Sequence, residues 1–309
     1  MAVERTETTF RSGGDECAAT LFFPAGPAEE DVPAVILAQG FTATREDGIP
    51  QFAERFAEEG IAALTLDYRG FGDSGGDERF VLSIERELED VASAITFVRS
   101  LDRVDPSRIG LWGASFGGGL TIETAASNRA IACAIALVPF VDGPSMLGAV
   151  PPLNAAKLTA KALADIAARR RGRERVMVPV AGPPGSLAAM TSPDALPGFQ
   201  AITPAGSRHG DEVAAAITVE ALRWRPGKKA PEIRCPILFQ VARDDLDTPP
   251  DPAIKVSASA PRGELKTYGC GHFDVYLEPE FETVVEDQVE FLSRHLLGAR
   301  QADGAGASA

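Results

Sequence analysis

Short apolar segments alternate with amphipathic segments along most of this chain, and no other feature of the sequence limits its possible folds as strongly. Residues 34–40 and 61–70 are apolar runs that end in turn residues, which is typical of buried strands. Residues 49–60 between them have the apolar spacing of a helix that Gly60 would end. The alternation predicts a mostly parallel sheet flanked by helices, with further strands over 108–113, 131–139, 236–242 and 264–269 and further helices over 84–98, 116–127, 252–260 and 281–296.

The alternation stops between residues 141 and 230. Helices are predicted there over 154–171 and 211–224, and a segment rich in Pro and Gly separates them. A structureless loop of this length is rare in a compact domain, so we expect an insertion with its own structure. The sequence thus predicts three regions: an α/β core of residues 1–140 and 231–298, a mainly helical cap or lid of residues 141–230, and a disordered tail of residues 299–309.

The charge and the cysteines restrict the partners and the compartment. The chain carries a formal net charge of −14, which repels nucleic acid and anionic membrane surfaces, so neither is expected as a partner. No apolar run is long enough to span a bilayer, and the charged residues 1–10 do not resemble an export signal. The four cysteines are widely spaced, which predicts free thiols in a reducing compartment and a cytoplasmic protein.

The segment GLWGASFGGGL, residues 110–120, places Ser115 between Gly113 and Gly117 at the junction of a predicted strand and a predicted helix. The pattern G-x-S-x-G has a physical reason at such a junction. A serine on a sharp turn presents its hydroxyl group, and a Cβ atom at either glycine would clash with the crowded backbone. We therefore predict a nucleophile elbow with Ser115 as the nucleophile.

A serine nucleophile needs a base, and the chain has three histidines. His209 lies in the irregular region after residue 140, and His295 lies in the last turn of the predicted C-terminal helix. His272 lies in a glycine-flanked loop directly after the last predicted strand. Because the carboxyl ends of parallel strands meet in one crevice, His272 is the histidine placed to meet Ser115.

The imidazole in turn needs a carboxylate that fixes its tautomer and stabilises its charged form. Asp244, Asp245 and Asp247 all follow the predicted strand over 236–242, so position alone does not choose among them. With these residues in place, the chain resembles the α/β-hydrolase superfamily, in which nucleophile, acid and base follow one another in this order. The resemblance covers roughly residues 10–140 and 231–297, and enzymes of this kind commonly carry a cap where this chain has its insertion.

The resemblance selects one of the three acids. The family's acid loop often reads G-x-x-D, with a proline four residues after the acid. That pattern selects Asp245 with Pro249, although Ala242 replaces the usual glycine, and Asp244 stays the alternative.

The resemblance also implies an oxyanion hole made of two backbone N–H groups. One belongs to Phe116, which follows the nucleophile, and the other to Phe41, in the loop after the strand over 34–40. The family usually has His-Gly before this second donor, whereas this chain has Gln39-Gly40. A backbone donor should tolerate that difference.

These residues predict acyl transfer through an acyl-enzyme intermediate. The apolar residues 176–190 suit a lid over a hydrophobic group, so we expect a carboxylic-ester hydrolase for small-to-medium apolar substrates. A thioesterase, an acyltransferase or a C–C-bond hydrolase would use the same three residues, and a catalytically silent binding protein on this fold is the alternative from another class. No phosphate-binding or dinucleotide motif and no metal-ligand spacing is present, so no cofactor or metal is expected.

The insertion leaves several points open. Five arginines in residues 169–175 could hold a substrate carboxylate or a phosphopantetheine-like arm, or form a solvated helix end. Residues 182–190, GPPGSLAAM, resemble caps of bacterial hydrolases related to dienelactone hydrolases and X-Pro peptidases. Exposed apolar faces on a cap could also pair two copies, so a homodimer stays open beside the small-molecule substrate.

Overall fold

The computed structural model describes residues 2–26, 31–148 and 150–298 of the chain. The strands are β1 (Val3–Ser12), β2 (Asp15–Pro24), β3 (Val32–Ala38), β4 (Ala62–Leu66), β5 (Val104–Ala114), β6 (Cys133–Leu137), β7 (Met177–Pro179), β8 (Glu212–Ala214), β9 (Ile237–Ala242) and β10 (Gly263–Tyr268). The helices are α1 (Pro50–Glu58), α2 (Ile84–Val98), α3 (Phe116–Ser127), α4 (Pro152–Arg170), α5 (Ala195–Ile202), α6 (Ile217–Arg223), α7 (Pro250–Ser259) and α8 (Glu280–Leu292).

Eight of the strands form one sheet in the order β1-β2-β4-β3-β5-β6-β9-β10. The six strands from β4 to β10 in that order run parallel, whereas β1 pairs with β2, and β2 with β4, in antiparallel fashion. Successive side chains of a strand point to opposite faces of the sheet, and helices pack against the apolar side chains on both faces. Val35 and Leu37 share a core cluster with Phe52 of α1 and Phe291 of α8, while Ile36 lies in the cluster of α2 and α3. The predicted fold class is confirmed.

The antiparallel hairpin of β1 and β2 was not predicted from the sequence. Most β1 residues are exposed or half-buried, so this edge strand carries no run of apolar residues. Gly13 and Gly14, with φ of +54° and +97°, form the turn that joins it to the buried β2. The sheet gains two strands that protect the edge of β4.

The order of the strands determines where a site can form. The chain passes from β3 to β4 on one side and later returns to β5 on the other side of β3. Such a reversal opens a crevice at the carboxyl ends of the strands, where ligands bind in open α/β sheets. The loops after β3 and β5 flank this crevice, and the loops after β9 and β10 end at the same edge of the sheet.

Residues 141–230 connect β6 to β9 and contain α4, α5, α6 and the antiparallel pair of β7 and β8. The helix predicted over 154–171 is α4, but the helix predicted over 211–224 is wrong in its first half, where β8 lies. The backbone N–H groups there pair with distant carbonyls: Ala214 donates to Phe80 and Ala215 to Val176. The tail predicted over 299–309 lies outside the described residues. None of the helices within the described ranges has the length and hydropathy that crossing a bilayer requires.

Candidate active site

Ser115 occupies a sharp turn between β5 and α3. Its backbone has φ of +53° and ψ of −118°, a conformation that a residue with a side chain rarely adopts. The Ser115 N–H donates to the carbonyl of Leu137 at 2.9 Å, which ties the turn to the end of β6. Strain of this kind persists only where the surroundings enforce it, and it presents the Ser115 hydroxyl at the carboxyl edge of the sheet.

Gly113 and Gly117 make the turn possible through close backbone contacts. A Cβ atom at Gly113 would lie 2.2 Å from the carbonyl oxygen of Gly117, and one at Gly117 would lie 2.1 Å from that of Ala38. Real Cβ atoms do not approach backbone oxygens this closely, so each position requires glycine. The spacing G-x-S-x-G therefore follows from the way β5, α3 and the end of β3 pack together.

The loops after β9 and β10 bring an imidazole and a carboxylate to this turn. His272 Nε2 lies 3.0 Å from Ser115 Oγ, and His272 Nδ1 lies 2.7 Å from Asp245 Oδ2. The side chains of His272 and Asp245 are 4% and 1% exposed, so water does not compete for the hydrogen bond between them. Asp244, the alternative acid, is exposed at the surface of the same loop.

Thr248 forms hydrogen bonds with Asp245 and is a site residue that the sequence analysis did not predict. Asp245 Oδ1 accepts hydrogen bonds from the N–H groups of Asp247 at 2.8 Å and Thr248 at 2.6 Å. Thr248 Oγ1 lies 2.8 Å from Asp245 Oδ2 and 3.3 Å from His272 Nδ1. A Thr three residues after an Asp commonly forms a hydrogen bond with it in loops. This spacing could have identified Thr248 in the sequence.

The carboxylates near His272 shift its titration. Burial alone would lower the pKa of the imidazole, but the charge of Asp245, its hydrogen bond and the charges of Asp247 and Asp194 together raise the pKa above its ordinary value. The ring therefore binds a proton more readily than a free histidine, which suits a group that takes a proton from a serine.

The loop after β3 lies against the nucleophile. A Cβ atom at Gly40 would lie 3.4 Å from Ser115 Cβ, which shows how closely this loop approaches the turn. The N–H of Phe41 donates to no acceptor among the described residues, and the N–H of Phe116 is in the first turn of α3, where no intrahelical acceptor is present. The rings of Phe41 and Phe116 meet edge to face with their centroids 5.7 Å apart.

A cavity of about 510 Å³ opens in front of Ser115. The loops after β3, β5, β6 and β9 contribute residues to its lining, and residues between 150 and 193 and between 217 and 222 contribute others, together with Met146. Most of the lining is apolar or aromatic, and the polar groups are hydroxyls and the carboxylate of Asp247. The apolar lining includes Phe41, Phe116, Phe140, Met146, Leu158, Met190, Ile217 and Leu222.

His209, His295 and Cys270 are not part of the arrangement of Ser115, His272 and Asp245. The His209 ring packs against Phe199 at 5.4 Å, and His295 Nε2 lies 3.6 Å from a carboxylate oxygen of Glu264. Cys270 is buried, and burial raises the pKa of its thiol to about 11, so it is a poor nucleophile at neutral pH. Within the described ranges, no cluster of three or more His, Cys, Asp or Glu side chains could hold a metal ion.

The parallel sheet, the elbow and the Ser–His–Asp arrangement define an α/β hydrolase. Residues 30–280 match the model of the serine aminopeptidase S33 family, and the chain belongs to this family. The narrower resemblance of residues 182–190 to dienelactone hydrolases and X-Pro peptidases stays a prediction.

Relatives of several kinds match most of the chain. The quorum-quenching protein AidA of Acinetobacter baumannii (strain MDR-ZJ06) is 41% identical over 288 residues, which cover 93% of this chain and 94% of that protein. The thiohydrolase aneE of Aspergillus aculeatus is 28% identical over 286 residues, covering 87% of this chain and 88% of its own length. The crystal structure of the α/β hydrolase GrgF from Penicillium sp. sh18 superimposes with a TM-score of 0.78 at 26% identity, covering 96% of this chain and all of that one.

Proposed function

We propose that this chain is a serine hydrolase that cleaves carboxylic esters of small-to-medium apolar substrates through an acyl-enzyme intermediate. The observation that carries the proposal is the pair of distances at His272, 3.0 Å to Ser115 Oγ and 2.7 Å to Asp245 Oδ2, at the wall of an apolar cavity. In this geometry the hydroxyl can act as the nucleophile, the imidazole as its base, and the carboxylate as the group that orients the imidazole and stabilises its charged form.

In the first half-reaction, Ser115 Oγ attacks the ester carbonyl carbon and His272 Nε2 takes the hydroxyl proton. Asp245 holds the ring in the correct tautomer and stabilises the imidazolium. The N–H groups of Phe41 and Phe116 bind the oxyanion of the tetrahedral intermediate. His272 then gives its proton to the departing alkoxide, and the acyl group remains on Ser115.

In the second half-reaction, a water molecule replaces the alcohol. His272 takes a proton from the water, the hydroxide attacks the acyl carbon, and the C–O bond to Ser115 breaks as the proton returns to Oγ. The carboxylic acid leaves, and every proton that moved is accounted for by His272. No step calls for a metal or an organic cofactor.

The cavity supports the proposed size and polarity of the substrate. A volume of about 510 Å³ lies in the usual range for a small-molecule site. Leu158 and Ile217 of the 141–230 segment line it together with Phe116 and Phe140, so an aliphatic or aryl group would be enclosed by apolar side chains. We propose that this segment is the cap that gives the enzyme its substrate preference.

A thioester or an acyl acceptor other than water is the second candidate, and the relative named a thiohydrolase favours it. The attack on a thioester carbonyl uses the same nucleophile, base and N–H groups. Only the leaving group and the acyl acceptor differ.

The test is the rate of p-nitrophenol release from p-nitrophenyl esters, from acetate to dodecanoate, by the wild-type protein and Ser115→Ala. A lactone, which is an internal ester, and an acyl thioester complete the panel. We expect turnover that peaks at an intermediate chain length and is lost in Ser115→Ala. Equal rates in the two proteins, or turnover of the thioester alone, would contradict the ester proposal, and specific binding without any turnover would favour a binding protein.

A further inference from the structure

A carboxylate with an unused oxygen lies in the wall of the apolar cavity. Asp247 is 9% exposed, follows Asp245 by two residues and lines the same cavity as Ser115. Its partner on the protein is Ser192, whose Oγ donates to Asp247 Oδ2 at 2.9 Å. Among the described residues no donor reaches Oδ1, and no lysine or arginine forms an ion pair with this carboxylate.

This arrangement leaves a strong acceptor without a donor. Asp247 lines the cavity, so a bound molecule can supply Oδ1 with a donor in place of solvent, and hydrogen bonds to charged acceptors are stronger than those between neutral groups. Holding the 192–195 turn requires only Oδ2, because Ser192 Oγ donates there and accepts from Ala195 N–H at 2.9 Å. Oδ1 remains available to a bound molecule.

We propose that Asp247 is a specificity-determining residue that accepts a hydrogen bond from a neutral donor, an amide N–H or a hydroxyl group, on the substrate ester. The inference rests on the proposed ester hydrolysis and adds a chemical requirement to it. The cavity would then select substrates that are apolar over most of their surface and carry one donor group near the scissile ester.

Other charge states fit the site less well. An anionic group would meet repulsion from Asp247 and from the neighbouring Asp245 and Asp194. The same carboxylates would attract an ammonium group, but that group would lose its hydration in a cavity whose lining is mostly apolar, which costs more free energy than the transfer of a neutral donor. A single neutral donor is satisfied by Oδ1 alone.

The experiment compares matched esters that differ only in the donor. The first pair is the p-nitrophenyl esters of N-acetyl-β-alanine and N-acetyl-N-methyl-β-alanine, which place the amide in the acyl part. The second pair is 2-acetamidoethyl hexanoate and its N-methyl counterpart, which place it in the alcohol part. We expect the wild-type kcat/KM to favour the N–H member of at least one pair by about tenfold or more, the size of one hydrogen bond to a charged group.

Three variants distinguish the recognition of the substrate by Asp247 from the hydrogen bond by which Ser192 supports that carboxylate. Asp247→Ala should remove the preference, while Asp247→Asn, which keeps a carbonyl acceptor without the charge, should retain part of it. Ser192→Ala removes the supporting hydrogen bond but leaves the carboxylate in the cavity, so the preference should persist. Equal rates within both pairs, or a preference that survives Asp247→Ala, would overturn the proposal.

The same design distinguishes failure of the inference from failure of the ester proposal. If the plain p-nitrophenyl ester is hydrolysed and neither pair shows a preference, only the role of Asp247 is wrong. If no ester is hydrolysed, calorimetry on Ser115→Ala measures binding of N-hexylacetamide against N-hexyl-N-methylacetamide. Tighter binding of the N–H compound, lost with Asp247→Ala, supports the role of Asp247 in that case, and equal binding overturns it.

Discussion

At the scale of single residues, the carboxylates around His272 set its protonation. Asp245, Asp247 and Asp194 raise the pKa of the imidazole above its ordinary value of 6.5, against the effect of burial. In the proposed mechanism only the neutral ring can take the proton of Ser115, so activity requires a pH above this raised pKa.

We therefore expect kcat/KM to fall as the pH falls through an apparent pKa above 6.5. Asp247→Asn removes one negative charge, which should move this acid limb to lower pH. The measurement is the pH profile of kcat/KM for both proteins on a neutral ester. An acid limb at or below 6.5 in the wild type, or an upward move in Asp247→Asn, would contradict this account of the site.

Thr248 is expected to act as a positioning residue. Thr248→Val removes the hydroxyl that lies 2.8 Å from Asp245 Oδ2 while keeping the volume of the side chain. We expect kcat to fall about tenfold, the equivalent of about one hydrogen bond, with KM nearly unchanged. Thr248→Ser should recover most of the loss. A change in KM with kcat intact would assign Thr248 to substrate binding instead.

At the scale of elements, the elbow depends on how closely β5, α3 and the end of β3 approach one another. A Cβ atom at Gly117 would meet the carbonyl oxygens of Ala38 at 2.1 Å and Gln39 at 2.4 Å. The backbone of three elements would have to move to admit it.

Gly117→Ala is accordingly expected to lower the free energy of unfolding by at least about 1–3 kcal/mol and to abolish turnover. The matched control is Gly269→Ala, because a Cβ atom at Gly269 meets nothing within 4 Å. Urea denaturation of both variants measures the difference. Equal stability of the two would show that the elbow can relax without cost.

The elements with clear periodicity were predictable from the sequence, and those without it were not. The helix predicted over 116–127 has the bounds of α3, because a strand, a turn and a helix follow one another there with strong local signals. The mostly exposed β1 and the short β8 carry no such signal, since their partners lie far away in the chain.

Part of the candidate site was likewise predictable from the sequence, and part was not. The elbow and the loops of Asp245 and His272 could be located because each follows a strand, but position could not separate Asp245 from Asp244. The two residues differ because the turn of the chain after β9 buries Asp245 and exposes Asp244. The apolar residues 176–190 contribute Pro184, Ala189 and Met190 to the cavity lining, whereas Leu158 and Ile217 could not be assigned to it from the sequence, because they reach it from distant parts of the 141–230 segment.

At the scale of the whole molecule, a buried ion pair holds the 141–230 segment together. Asp165 of α4 is fully buried and accepts from Arg175 Nε at 2.8 Å and from the N–H groups of Val176 at 3.0 Å and Ala216 at 3.1 Å. Arg175 also donates to Glu78 at 3.0 Å, which links this segment to the loop before α2. Of the five arginines of residues 169–175, Arg175 has this structural role and the other four are exposed.

Removing this carboxylate should loosen the segment. Asp165→Ala leaves the Nε and Nη2 groups of Arg175 and two backbone N–H groups without their acceptor, and we expect the free energy of unfolding to fall by about 3–5 kcal/mol. Limited proteolysis should then cut between residues 141 and 230 much faster than in the wild type. Glu232→Ala, which removes an exposed ion pair with Lys229 at 3.2 Å, is the control and should change little. Equal cleavage of both variants would mean that other contacts hold the segment.

In the proposed mechanism, Ser115 carries the acyl group during turnover. Rapid mixing with a p-nitrophenyl ester, acid quenching and mass spectrometry of the intact and digested protein test it most directly. We expect one acyl group on the peptide that contains Ser115, formed as fast as p-nitrophenol is released and absent from Ser115→Ala. Turnover without such an adduct, or an acyl group on another residue, would contradict the mechanism.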